Sequence, residues 1–536
     1  MLTKEDKKRL RAELFRHLDG IATIPSASVM HKRGIMDHLL DVKEATLSAI
    51  AEANNANKGY LNVALRTLCA QGWLEQEIDN ESGEVTFSIN DKSETAFKLA
   101  PKYADAYAFM EYSESFHEKR FKPEPFQAVS QLHAALSNRL GFEAASSKME
   151  EEIQDQMMRH VEGVVTGPTA VALGMSGMFH KYFMETSFRP EEFHQDHENF
   201  KILLDMYTYL GWFQEKNGTY RFTDKGLFFA RRASAYGVTV SYIPTFRKVE
   251  ELIFGNPKVL WDKPDGSDEL HVDREMNVWG SGGAHSTYFR KIDEVIVDLF
   301  NRPIAQQPKG IVDMGCGNGA FLEHIFSVIE NQTKRGQMLE EHPLFLVGAD
   351  FNQAALRVTR ANLIQADIWA KVIWGDIGRP DLLANDLKED YGIELGDLLN
   401  VRTFLDHNRV WEEPASKSGK TASSLGSYAY RGQYLENNDV EDSLREHLGK
   451  WKPYVKKFGL LLIELHTIPT SVTSKNLGRT AATAYDATHG YSDQYILEVD
   501  VFTKIAEEIG LKPEPAHQSK FPNNELATVS INLLRG

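Results

Sequence analysis

The sequence predicts an α/β protein with a Rossmann-like, seven-stranded core in its second half, behind an N-terminal helical, winged-helix-like region. Three observations carry this reading. Residues 310–322, GIVDMGCGNGAFL, read as a buried strand, a glycine-rich turn and the start of a helix. Two further apolar strands, FLVGAD and KVIWGDI, each run into an acid, Asp350 and Asp376. Upstream, one pattern of helices and a hairpin occurs twice, from Gly34 and from Gly177.

The turn comes first in the argument. Gly315, Gly317 and Gly319 let the backbone bend sharply and approach a ligand with no Cβ in the way. The amides opening the next helix then point at whatever sits there. A nucleotide pyrophosphate and the amino-acid moiety of S-adenosylmethionine (SAM) both suit such a turn, so the turn alone leaves a dinucleotide dehydrogenase open. The strand-end acids separate the two. A carboxylate at Asp350 can accept hydrogen bonds from both ribose hydroxyls. At the third strand, Asp376 followed by Ile377 suits an adenine, with the acid on the exocyclic amine and the side chain on the ring. The plainer alternative makes both acids helix N-caps. This series resembles the class I SAM-dependent methyltransferases: Asp313, Gly315, Gly317 and Gly319 match their E/DxGxGxG turn, Asp350 their ribose acid and Asp376 their adenine-side acid. The resemblance implies SAM as cofactor, with Phe351 and Ile377 in the same site.

Bulk properties bound the rest. A chain of 536 residues has room for about two to four domains. The formal net charge of -16 argues against general nucleic-acid binding. Two cysteines, Cys69 and Cys316, exclude a disulfide framework and point to a reducing, cytoplasmic setting. The charged N-terminus reads as a helix start, not a signal peptide, and no apolar run is long enough to span a bilayer.

Taken in order, residues 1–20 read as an amphipathic helix with Leu10, Leu14 and Leu18 on one face. Each repeated unit reads as a winged helix, with Gly72 and Gly211 leading into hairpins around Gly83 and Gly218. The presumed recognition helices offer only Lys58 and Arg66, and Lys201, so a dimerisation region roofing the substrate is expected over DNA binding. That would allow a homodimer. Residues 101–160 carry an aromatic stripe, including Tyr103, Phe109, Phe116, Phe121 and Phe126, read as core. Residues 261–272 read as a loop. The stretch 277–289, NVWGSGGAHSTYF, reads as a hinged lid with Tyr288 or His285 facing the ligand, or as an ordered linker. The boundaries predicted are 1–160, 161–290 and 291–536. Residues 412–427, rich in Ser, Lys and Gly, read as a mobile surface loop.

Strand four brings Asp406, His407 and Asn408, and strand five His466, to the carboxyl edge where open α/β sheets bind ligands. Plant-type O-methyltransferases use a His after strand four as base. Counted without a gap from Asp397, Asp406 takes that position and His407 follows it, a departure from the pattern. A metal is the alternative: Asp406, His407, His466, His489 and Gln494 are mixed N/O donors suited to Mn or Fe, which could chelate a 1,3-dicarbonyl acceptor as a Lewis acid. The segments RTFLDHNR, HTIP and YDATHGYSDQY resemble the metal-dependent C-methyltransferase of apratoxin-type polyketide loading modules. That resemblance implies α-carbon methylation of a malonyl-type thioester on an acyl carrier protein. The metal ligands expected are His489 and Gln494, five apart in one loop, and then Asp406; the catalytic residues expected are Asp406, His407, His466 and Tyr288. The acceptor is expected to be a small molecule or carrier-bound, with neither nucleic acid nor membrane as partner. Two other readings stand beside this one: a metal-free small-molecule O-methyltransferase, and a SAM-sensing winged-helix regulator.

Overall fold

The computed structural model describes residues 2–116, 122–183, 186–262 and 269–536. Phe121 of the aromatic stripe, residues 263–268 of the expected loop and the side chain of His285 lie outside the described residues. The chain forms two compact units. The first comprises Met1–His285, Ser427–Leu435 and Pro469–Ser492; the second comprises Ser286–Gly426, Glu436–Ile468 and Asp493–Gly536.

The first unit is built on α1 (Lys4–Lys32). Thr3 caps it: its hydroxyl accepts from the Asp6 amide, and Asp6 returns a bond to the Thr3 amide. The helix does not stop near residue 20 as its amphipathic stretch suggested. Beyond Gly20 it is buried against the rest of the unit, which overrides the weak local pattern. The two winged helices follow the repeat. The first has α2 (Ile35–Val42), β1 (Glu44–Thr46), α3 (Leu47–Ala53), α4 (Lys58–Ala70), β2 (Glu75–Asp79) and β3 (Glu84–Ser88), with sheet order β1-β3-β2. A long helix, α5 (Lys148–Met175), precedes the second: α6 (Met178–Tyr182), α7 (His197–Tyr209), β4 (Phe213–Lys216) and β5 (Thr219–Phe222). There the first strand shrinks to a single bridge, Phe188 to Tyr220. The repeat is written in backbone angles: Gly34 and Gly177 have φ +72° and +80°, and Gly72 and Gly211 both +77°. In the aromatic stripe Phe109, Phe116 and Phe126 are buried, with ring centroids 5.7 Å apart at each step.

Helix α4, the presumed recognition helix, is interior. Residues 59–70 are all buried. Arg66 Nε donates to Asp486 at 2.9 Å, and the Gly59 amide donates to Gly432 O in the hairpin 428–435. Lys58 lies 3.8 Å from Glu84. The hairpin and the helix Ala482–Gly490 therefore pack in this unit on the face a DNA-binding helix would present.

The expected hinged lid is also corrected. Residues 277–289 form part of one helix, α9 (Arg274–Phe300). A Cβ on Gly280 would lie 2.6 Å from Val238 N and 2.7 Å from Gly237 Cα, both in α8 (Ser234–Ser241). Gly280 thus permits close helix packing rather than a turn.

The second unit is a three-layer α/β sheet. Parallel strands β6 (Gly310–Met314), β7 (Phe345–Asp350), β8 (Ala370–Trp374), β9 (Leu398–Thr403) and β10 (Leu460–Leu465) are joined by helices that include α10 (Ala320–Gln332), α11 (Gln353–Gln365) and α12 (Asn437–Val455). After α13 (Val499–Glu508) come β11 (Lys512–Pro513), β12 (Ser519–Phe521) and the antiparallel β13 (Val529–Arg535). The order is β11-β13-β10-β9-β6-β7-β8, with β12 also on β13. Eight strands replace the seven expected, because the stretch after α13 supplies two short strands to one edge. The segment expected to be a mobile loop is tied to α12 instead. The amides of Ser423 and Ser424 donate to Glu441, those of Ala415, Ser418 and Ala422 to Glu446, Asp442 and Asn438, and that of Leu425 to Glu498.

Helices α1 and α5 cross at glycines. A Cβ on Gly163 would fall 2.3 Å from His17 O, and one on Gly20 2.2 Å from His160 Cα. Gly163→Ala should therefore cost about 1–3 kcal/mol through overpacking, read as a lower denaturation midpoint, whereas Gly177→Ala, whose Cβ would meet nothing within 4 Å, should cost only the backbone strain of its positive φ. Near the same crossing, burial pushes the Asp19 carboxyl up to about 8, against opposing contributions from Thr483, Arg16 and Gln71. The unfolded chain ionises Asp19 near pH 3.8, so between there and about 8 the native state holds the extra proton and stability falls as pH rises. Asp19→Asn should remove that slope, and at pH 8 should raise the denaturation midpoint relative to the parent.

Candidate functional site

Strand β6 is buried along its whole length and ends in a turn fastened to its neighbours. The Gly315 and Cys316 amides both donate to Ala349 O, at 2.8 and 3.1 Å. Thr359 Oγ1 donates to Gly317 O and Asn362 Nδ2 to Asn318 O, each at 2.9 Å. Gly315, Gly317 and Gly319 all have positive φ, of 78°, 56° and 82°. Cβ atoms at Gly315 and Gly319 would meet Leu405 and Thr359 at 2.9 and 3.0 Å, whereas one at Gly317 would meet nothing within 4 Å. The middle glycine therefore faces open space, and the outer two permit packing.

The acids sit around that space. Asp350 accepts from the Gly317 amide at 3.0 Å and from the Asn352 amide at 2.8 Å, which leaves lone pairs on both oxygens. The N-cap of α11 is Asn352, and Arg379 precedes the helix Pro380–Tyr391, so neither Asp350 nor Asp376 is the N-cap that the plainer reading made it. Asp376 accepts from the Gly378 amide at 2.8 Å, and Ile377 O accepts from Trp451 Nε1 at 2.7 Å. Phe351 is 64% exposed, its ring 5.7 Å from Trp374. Asp313 is buried and its Oδ2 has no hydrogen-bond partner among the described residues. Burial first, and the Asp350 charge second, push its carboxyl up to about 7. An open glycine cradle, an orphaned buried carboxylate oxygen and two partly exposed strand-end acids fit SAM.

The second cluster lies beyond β9 and β10. Phe404 follows β9 with φ +55°, a left-handed conformation that costs a non-glycine residue about 1–3 kcal/mol. It turns the chain into the short 3-10 turn Asp406–Asn408. His407 Nδ1 donates to Glu464 Oε1 through a very short contact. Glu464 Oε2 accepts from the Asp406 amide at 2.9 Å, and Oε1 also accepts from the Leu465 amide at 2.7 Å. Glu464 thus fixes the tautomer of His407 that carries its lone pair on Nε2. Tyr288 stands edge-on to Phe404 and Phe521, with centroids 6.1 and 5.3 Å away, so the structure brings it to the same turn.

The other expected residues are placed differently. Asp406 Oδ1 is shared by Arg402 Nη1 at 2.5 Å and His447 Nε2 at 2.9 Å. His466 is fully buried: Nδ1 donates to Leu497 O at 2.9 Å and Nε2 pairs with the Ser530 hydroxyl at 2.7 Å. Burial pushes its imidazole down to about 4, and both nitrogens are engaged in the core. His489 and Gln494 do not share one loop. His489 lies in the helix Ala482–Gly490 of the first unit, where its Nδ1 donates to Tyr485 O at 2.7 Å. Gln494 is buried in the second unit beside Tyr495, whose amide donates to His407 O at 2.8 Å. Among the described residues, three acid or imidazole ligand atoms gather within 4.8 Å at Glu13, His17 and Glu162, none of them an expected ligand. There Lys225 and Arg159 already neutralise the two carboxylates, at 2.6 and 2.5 Å.

Sequence reading passed over Glu464, Arg402 and His447. The first two carried a signal, being charged residues inside the largely apolar strands LLLIEL and LLNVRT. His447, on α12, carried none.

Three family models match successive parts of the chain: the AprA N-terminal domain over residues 10–76, the AprA winged helix domain over 162–256 and the AprA MT2-like domain over 269–532. No curated protein matches it. Similar solved structures include the mitomycin 7-O-methyltransferase MmcR (11% identity, 72% of this chain and 98% of that one, TM-score 0.42). Others are an O-methyltransferase family protein from Burkholderia thailandensis (12%, 73% and 99%, 0.40) and the DszA carbon methyltransferase (12%, 78% and 98%, 0.28). With its parallel sheet, glycine turn and strand-end acids, the chain is a class I SAM-dependent methyltransferase. Within that class it belongs to the AprA-like family.

Asp350→Ala removes charge-assisted acceptors from the cofactor side, so SAM affinity by calorimetry should fall by about 1.5–3 kcal/mol for each bond lost. Unchanged affinity would contradict the placement of SAM at Asp350.

Proposed function

We propose that this methyltransferase acts on an acidic acceptor with His407 as general base, and that the acceptor is the α-carbon of a malonyl-type thioester on an acyl carrier protein. The observation that carries the base is the His407–Glu464 pair at the carboxyl edge of the sheet. The resemblance of the segments around Asp406, His466 and His489 to the apratoxin-type enzyme supports the acceptor class. A bound SAM supplies an electrophilic methyl group, held by Gly315, Gly317, Gly319, Asp350 and Asp376. What remains for the protein is to align the acceptor and take one proton.

His407 suits that task. Glu464 holds Nδ1–H, so Nε2 receives the proton, and the carboxylate stabilises the imidazolium that results. Glu464 is itself kept in place by two backbone amides. Tyr288, Phe404 and Phe521 add an aromatic wall beside the turn. Of the Asp406 oxygens, Oδ1 is shared by Arg402 and His447 and Oδ2 has no partner among the described residues, so chelation is the test that separates the base from a metal. The same base would serve a hydroxyl acceptor, which makes O-methylation the competing outcome.

Two measurements test the reading. His407→Ala and Glu464→Gln should each lower turnover by about 10²–10⁴-fold, the range for loss of a positioned base, with SAM affinity near that of the parent. Turnover of the parent should survive exhaustive chelation. Loss on chelation with recovery by Mn or Fe would instead favour metal-assisted chemistry, and a methylated oxygen in the product would replace the carbon acceptor.

A further inference from the structure

The turn carrying His407 is held by a buried charge cluster centred on its chain neighbour Asp406. Asp406 has every polar handle but one engaged. Its amide donates to Glu464 Oε2 at 2.9 Å, and its carbonyl accepts from Arg409 Nη1 at 3.0 Å. Its Oδ1 accepts from Arg402 at 2.5 Å and from His447 at 2.9 Å. Only Oδ2 has no partner among the described residues. Arg402 is equally confined: its guanidinium lies 3.9 Å over the Trp451 ring, and its Nε and Nη2 make no hydrogen bond among the described residues. Burial would raise the Asp406 carboxyl, but the Arg402 charge and the His447 hydrogen bond hold it well below the ordinary carboxylate range, so it stays ionised. His447 is buried on α12 with Trp451 one helical turn further on, so a single helix presents both the ring under Arg402 and the imidazole on Asp406.

We infer that Asp406 is a positioning residue for the reaction: pinned by Arg402 and His447, it presents its amide to Glu464, and Glu464 in turn sets the imidazole of His407. This rests on His407 being the base. The chain of contacts is one-directional in effect. Losing His447 frees one side of Asp406, the turn 406–408 relaxes, and the error reaches His407 through Glu464. The effect predicted is on kcat, and because His447 lines a cavity together with Asp376, SAM affinity is followed separately.

The experiment uses the full chain and steady-state kinetics. His447→Ala should lower kcat by about ten- to a hundredfold, the scale of an ångström-sized misplacement of a reacting group, with KM for the acceptor and SAM affinity within about twofold of the parent. His447→Gln keeps a donor toward Asp406 and should recover most of kcat. On a Glu464→Gln background, His447→Ala should add nothing further, because both act on one path. Asp406→Asn serves as the second variant and should show the same non-additivity. Unchanged kcat in His447→Ala, additive losses in the double variant, or a fall confined to thermal stability would each overturn the inference. If Glu464→Gln and His407→Ala themselves turn over normally, the base assignment falls and takes the inference with it. If they are inactive while His447→Ala is normal, the inference alone fails.

Discussion

An ionisable group buried in the middle of a parallel sheet has to be answered by an opposite charge or by hydrogen bonds, because both faces of the sheet are covered. Three adjacent strands of the second unit each carry such a residue: Asp313 on β6, Arg402 on β9 and Glu464 on β10. Arg402 is answered by Asp406, and Glu464 by His407 and two amides. Asp313 is left with an oxygen that no described protein group satisfies. The two answered charges build the end of the sheet where a proton can be taken, and the unanswered one lies under the turn where a cofactor fits. Placing ligand chemistry at the carboxyl ends of strands thus follows here from how buried charge is balanced.

The first unit meets a related problem differently. Its long helices cross so closely at Gly20 and Gly163 that their polar side chains must pair locally: His17 with the Tyr236 hydroxyl and His160 with that of Tyr103, each at 2.7 Å. The winged helices have become core material. Helix α4 keeps the position of a recognition helix in the topology, but the hairpin 428–435 and the helix Ala482–Gly490 cover it and Asp486 takes up its buried arginine.

Most of the fold was legible because it is local. Gly315, Gly317 and Gly319 occupy positive φ for the reason their spacing suggested, and the repeated winged helices showed themselves through glycines at matching turns. The acids at Asp350 and Asp376 stand where strand ends put them. What stayed hidden depended on neighbours distant in sequence. His447 meets Asp406 across 41 residues and Glu464 meets His407 across 57, and no spacing rule joins them. The run GSGG read as a hinge because glycine breaks isolated helices, yet Gly280 is there to let one helix touch another. His466 looked like a site residue because of the strand end it occupies, but a partner on each nitrogen makes it part of the core.

One segment without regular structure lies along α12. Residues 415–425 have no helix or strand, but six of their amides end on side-chain carboxylates or an amide oxygen. In hydrogen exchange such a ribbon behaves as ordered structure, its protons shielded for as long as α12 stays folded beneath it. Its protection is borrowed from the helix, so the two should open together as one cooperative unit, although only one of them has regular geometry.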